Sequence, residues 1–155
     1  MSLRIISPSV YSIIKPIVSL LKQWDDVNGQ NYGYLDTLYP QAGFILGSTR
    51  QKGHDEIRRS REESTDPDRG PTITVQHHLE KIWLLAGPKK HGGQPKLVFT
   101  GDNDYALKSG KVISAAFTSR VAMRKDSRDI EYKFYDYIEY VNQVELMNAI
   151  AEFND

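Results

Sequence analysis

Between residues 9 and 24 the apolar side chains of Ile13, Ile14, Ile17, Leu20, Leu21 and Trp24 recur at helical spacing and share one face. The spacing predicts an amphipathic N-terminal helix whose apolar face must be buried. Pro16 lies inside the pattern and supplies no backbone donor, which predicts a kink or two short helical pieces. From Gly43 onward the period becomes that of strands. Residues 43–48 form a short apolar run, ITVQHHL (73–79) alternates with Ile73, Val75, His77 and Leu79 on one side, and KLVFT (96–100) adds another strand.

Two longer alternating runs follow. Ile113, Ala115, Phe117, Val121 and Met123 share a face that only Ser119 interrupts, and Ile130, Tyr132, Phe134, Ile138 and Tyr140 share one that Asp136 interrupts. RKDSR (124–128) joins the runs as a hairpin. Strands of about a dozen residues exceed the common length, so the hairpin is expected to bend, carry a bulge, or project beyond the body and need a covering partner. A bulge would turn Asp136 away from the core. The chain closes on a helix with Asn142 as N-cap, Glu145 in the first turn, and Leu146, Met147, Ile150 and Phe153 on its apolar side. The pattern predicts an α+β fold: a mostly antiparallel sheet with a long C-terminal β-hairpin, flanked by an N-terminal amphipathic helix and a C-terminal capped helix.

Composition narrows the picture in three ways. A chain of 155 residues suits a single domain, 1–155. Twenty basic and twenty acidic residues cancel, so nucleic-acid binding would need a local patch. With no cysteine, disulfides, thiolate metal sites and a cysteine nucleophile are excluded. Pro8, Lys15, Pro16 and Lys22 interrupt the first apolar stretch well short of a bilayer span, so neither a signal peptide nor a transmembrane segment, and no membrane partner, is expected. Charge, Gly and Pro dominate residues 50–71, which read as an exposed loop.

Candidate chemistry is sparse. Gly47 and Ser48, after an apolar run, are similar to the start of the catalytic loop of metal-dependent nucleotidyltransferases. That family places two carboxylates one residue apart on the next strand, whereas Asp55 and Glu56 are adjacent and Asp66 and Asp68 flank Pro67. Membership is therefore not inferred. Glu131 and Lys133 share a strand face, as the carboxylate and lysine of metal-dependent nucleases do, and Asp102 or Asp104 could supply a further acid. These four would form the catalytic set of an enzyme using Mg or Mn. TGDND (100–104) otherwise reads as a β-turn. His77 and His78 face opposite ways on a strand and cannot share an ion, which makes His77 a hydrogen-bonded, partly buried histidine. No metal site is assigned.

For binding, the concentrations of charge and aromatic surface are Arg58, Arg59 and Arg61, then Lys89 and Lys90, and Tyr132, Tyr135 and Tyr137 on the last strand. With no complete catalytic set, these surfaces predict a non-enzymatic assembly subunit, self-associating through the hairpin and the 50–71 loop, with no cofactor. The alternatives are a divalent-metal nuclease or nucleotidyltransferase-like enzyme, and a nucleic-acid-binding module.

Overall fold

The computed structural model describes residues 8–26, 32–66, 68, 72–86 and 94–154. The elements are α1 (Pro8–Trp24), a 3-10 turn (Tyr32–Thr37), β1 (Leu38–Leu46), β2 (Thr49–Lys52), α2 (His54–Thr65), β3 (Thr72–Ala86), β4 (Lys96–Leu107), β5 (Val112–Arg124), β6 (Lys133–Val141) and α3 (Val144–Asn154). Six strands form one sheet in the order β2-β1-β6-β5-β4-β3. All neighbours are antiparallel except β1 and β6, which run parallel, so the sheet is mixed.

The helix-period pattern of the N-terminus is realised as one element. Ile13, Ile17, Leu20 and Leu21 of α1 are buried against Phe44, Phe99, Phe117 and Tyr137 of the sheet. Pro16 lies within a single 17-residue helix rather than between two. The C-terminal helix α3 starts where expected, with the Asn142 side chain accepting from the Val144 N–H at 3.5 Å. Its Leu146 and Ala149 pack beside Leu107 of β4.

Three expectations are corrected. Most of the segment expected as a loop is regular structure: residues 50–52 complete β2 and His54–Thr65 form α2. Charge hid an amphipathic pattern in which Ile57 is buried in the core and Arg61 is nearly so, while Asp55 and Glu56 occupy the first turn, where the helix dipole favours anions. Nor does the hairpin project. The pairing of β5 with β6 is there, but it occupies the centre of the sheet between β4 and β1, so neither of its strands is an edge. TGDND, finally, is not a turn but the middle of β4, paired on both sides.

Two irregularities aim side chains inward. The register of β6 against β5 shifts between Asp136↔Ala122 and Phe134↔Met123, which leaves Tyr135 as an extra residue. This bulge reverses the alternation after it. Phe134 faces the helices before the bulge, and Tyr137 and Glu139 face them after it, all three buried. On β3 a second shift falls between Leu79 and Lys81, opposite Gly101. A Cβ on Gly101 would stand 1.9 Å from the His78 carbonyl oxygen, so only glycine permits this approach.

Candidate active site

The inner face of the sheet carries a polar band set among apolar side chains. His77 comes from β3, Asn103 from β4, Ser119 from β5 and Glu139 from β6; Asn103, Ser119 and Glu139 are all at most 5% exposed. Only the side of the sheet covered by helices could bury so many polar groups together, and each of the strands contributes by simple alternation except β6, which does so through its bulge.

Two hydrogen-bonded units make up the band. In the first, Glu139 Oε2 accepts from the Tyr137 hydroxyl at 3.0 Å and from Ser119 Oγ at 3.1 Å, and the two hydroxyls lie 3.3 Å apart. Burial, and then the adjacent Glu139 carboxyl, push the Tyr137 phenol well above its ordinary value. In the second, Asp25, one residue beyond α1, holds His77 twice. Its carboxylate oxygens accept the His77 main-chain N–H at 3.1 Å, and Oδ1 lies 2.5 Å from ring Nδ1. A carboxylate only accepts, so this contact places a proton on Nδ1 and directs Nε2 away from Asp25. The His77 side chain is 4% exposed.

Both units border one small cavity, lined by Leu20, Leu21, Trp24, Phe44, Leu46, His77, Tyr137 and Glu139. Its volume is about 10 Å³, the space of about one water. Aromatic rings surround it in succession. Trp24 packs edge-on to Tyr34 (5.0 Å between centroids) and stacks on Phe44 (5.3 Å), Phe44 stacks on Tyr137 (4.5 Å), and Phe117 meets the His77 ring edge-on (5.7 Å). The buried Asn103 Oδ1 and Tyr34 hydroxyl have no hydrogen-bond partner.

The residues singled out from the sequence fall elsewhere. Asp104 pairs across the sheet with Ser114, and Lys133 with Arg124, so these two positions are ten residues apart along β5, roughly 33 Å. Asp102 is exposed, and Asp104 is engaged with Ser114 and with His78 (2.9 Å), contacts that hold its carboxyl below the ordinary range. Glu131 pairs with Lys15, and Lys133 lies 3.6 Å from Asp129. The Asp102, Asp104, Glu131 and Lys133 set is not assembled, and no group of three His, Asp or Glu able to hold a metal occurs among the described residues.

Arg58 lies 3.6 Å from Asp55 and, like Arg59, is exposed, whereas Arg61 is only 8% exposed and faces inward, which removes the basic patch. Tyr137 is core rather than surface, and Tyr132 and Tyr135 are half-buried. Lys89 and Lys90 lie outside the described residues. No described helix is long and apolar enough to cross a membrane.

Sequence reasoning missed Asp25, Ser119 and Glu139 as site residues. Ser119 had a signal, as the one polar residue in an apolar face. Glu139 had none, because strict alternation puts it outside.

No protein-family model matches the sequence, and no curated protein matches it. Solved structures do match. A protein from Novosphingobium aromaticivorans, provisionally described as an aromatic ring hydroxylase, is 15% identical with a TM-score of 0.69 over 88% of this chain and 90% of that one. TerC, co-crystallised with polyporic acid, is 13% identical with a TM-score of 0.66, over 90% of this chain and 98% of that one. A protein from Jannaschia sp. CCS1, provisionally described as a SnoaL-like polyketide cyclase, is 13% identical with a TM-score of 0.65, over 95% and 96%.

At such identities the likeness is one of fold: an NTF2/SnoaL-like α+β fold with a six-stranded mixed sheet and three helices. It overturns the assembly-subunit expectation. The hairpin and loop on which that expectation stood are a central strand pair and a packed helix, and the structural neighbours carry the names of enzymes. The four residues of the nuclease expectation are not brought together, and the nucleic-acid expectation rests on Lys89 and Lys90, outside the described residues.

Proposed function

We propose that the chain is an NTF2/SnoaL-like enzyme that moves a proton on a small, largely apolar, ring-bearing ligand, with His77 as general base. The observation that carries this is the Asp25–His77 pair on the wall of a cavity that also holds the Glu139 carboxyl. Asp25 fixes the imidazole tautomer and stabilises the imidazolium once a proton is taken, the arrangement a carboxylate-oriented histidine base requires. A carbon beside a carbonyl is the fitting proton donor, because the apolar walls favour a ring and the base needs an acidified C–H. The imidazolium formed on His77 holds the abstracted proton and returns it to the same carbon or to another atom of the ligand within its reach, while the Glu139 carboxyl shares the cavity from another wall. The names of the structural neighbours, an aromatic-ring hydroxylase, a polyketide cyclase and a protein crystallised with polyporic acid, support a cyclic ligand.

A ring-bearing ligand needs about 300 Å³ or more, against about 10 Å³ present. Binding must therefore open the cavity, and Trp24, half-buried at the last turn of α1, is the wall that can give way. The test is deuterium exchange at the carbon beside the carbonyl of a cyclic aryl ketone such as 2-tetralone. The native protein should accelerate exchange, and His77→Gln should lower the rate about 10²- to 10⁴-fold while still binding the ketone. No acceleration by the native protein, or an equal rate in the variant, would refute the proposal.

A further inference from the structure

Arg61 is the only buried arginine among the described residues, and its position is unusual. It belongs to α2, far in sequence from the catalytic pair, yet its Nη2 donates to the main-chain carbonyl oxygens of both Trp24 and Asp26, the latter at 3.2 Å. Those carbonyls flank Asp25 on either side. The guanidinium also lies 4.7 Å over the Trp24 ring, which lines the cavity. The carboxylates of Asp25 and Asp26 interact favourably with its charge.

Asp25 has left the regular helix, and its own N–H is tied to the Leu21 carbonyl at 3.0 Å. One ligation cannot set where a residue past a helix end points its side chain. Arg61 Nη2 adds two more on the carbonyl side, closing the C-terminus of α1, where orphan carbonyls and the helix dipole both favour a cation. The flat guanidinium lies over the indole while its Nη2 reaches both carbonyls, a combination that the compact ammonium of a lysine does not reproduce.

We infer that Arg61 is a positioning residue for the proposed general base: by holding the backbone on both sides of Asp25 it aims that carboxylate at His77 Nδ1, and by stacking on Trp24 it sets the same cavity wall. The inference rests on the proposed role of His77, but its first test does not need catalysis. The His77 Nδ1 proton, shielded and held by a carboxylate, should give a far-downfield proton NMR resonance, assigned by its loss in His77→Gln and in Asp25→Asn. In Arg61→Lys the resonance should shift upfield or vanish, while the amide signals of β4, β5 and β6 stay in place. Arg61→Gln, which keeps a planar donor without charge, serves as the second variant should the first fail to fold.

A downfield proton unchanged in the folded Arg61 variants would overturn the inference. If ketone exchange is catalysed, Arg61→Lys should lower kcat by on the order of 100-fold with KM within about twofold; an effect confined to KM would also overturn it. Loss of the resonance in a protein that never exchanges the ketone would leave the positioning intact and refute only the proposed function.

Discussion

Two parts of the same inner sheet face obey different rules. Toward one end, Leu97, Met123 and Phe134 meet Leu38 in a dry, closely packed cluster. Farther along β5 and β6 stand Ser119 and Glu139, and beyond them His77 and Asn103, equally buried but polar. The first region follows from burial alone, where each apolar side chain contributes by leaving water. The second gains little from its hydrogen bonds, which replace bonds to water, and carries the cost of sequestering a carboxyl and an imidazole. A fold under pressure only for stability would extend the apolar pattern through Ser119 and Glu139. That it does not is what marks the band as the working part of the core.

The comparison can be broken most forcefully at the apolar end. Phe134→Ala, at a fully buried position, should lower the free energy of unfolding by about 3–5 kcal/mol, measured by urea denaturation; a loss under about 1 kcal/mol would mean that this region is looser than its packing.

Alkali should sharpen the contrast. The buried Tyr137 phenol is raised, so its neutral form is favoured by folding. Its contribution is whole below the ordinary tyrosine value of about 10 and is lost as pH rises through the higher folded value. Stability should fall above pH of about 10, more steeply in the native chain than in Tyr137→Phe. Parallel pH curves for the two would contradict the buried hydroxyl.

The smallest effect on stability belongs to Glu139→Gln. The amide oxygen can still accept from Tyr137 and Ser119, so the change should stay within about 1 kcal/mol, while ketone exchange should slow, because a carboxylate sharing the cavity with His77 favours the imidazolium formed there. A variant that is both unfolded and inactive would show the carboxyl to be structural.

How far this contrast was legible varied with the physics that sets each part. The N-terminal helix, the inner face of β5 and the C-terminal cap were readable because burial there follows a single period over many residues. α2 was not, since its apolar content is one isoleucine, Ile57, and the alkyl and guanidinium parts of Arg61 amid charge. The bulge itself could be anticipated from Asp136, but its larger effect could not: by reversing alternation it carried Glu139 inside, and where a register slips depends on the partner strand. Asp25 follows the helical run with no periodicity to mark it, and only the approach of β3 to the end of α1 gives it a histidine to hold.

The parallel pairing of β1 with β6 also bears on how the molecule forms. Gly43 meets Asp136 and Leu46 meets Glu139 across that seam, so the strands that bring Phe44 and Tyr137 together are separated by most of the chain. Pairings of such long sequence separation pay their loop-closure entropy before they return any contact. On a ribosome, β1 and β2 would emerge and wait, their inner neighbour still unmade, until residues 133–141 had been synthesised. The cavity would then be among the last features to close.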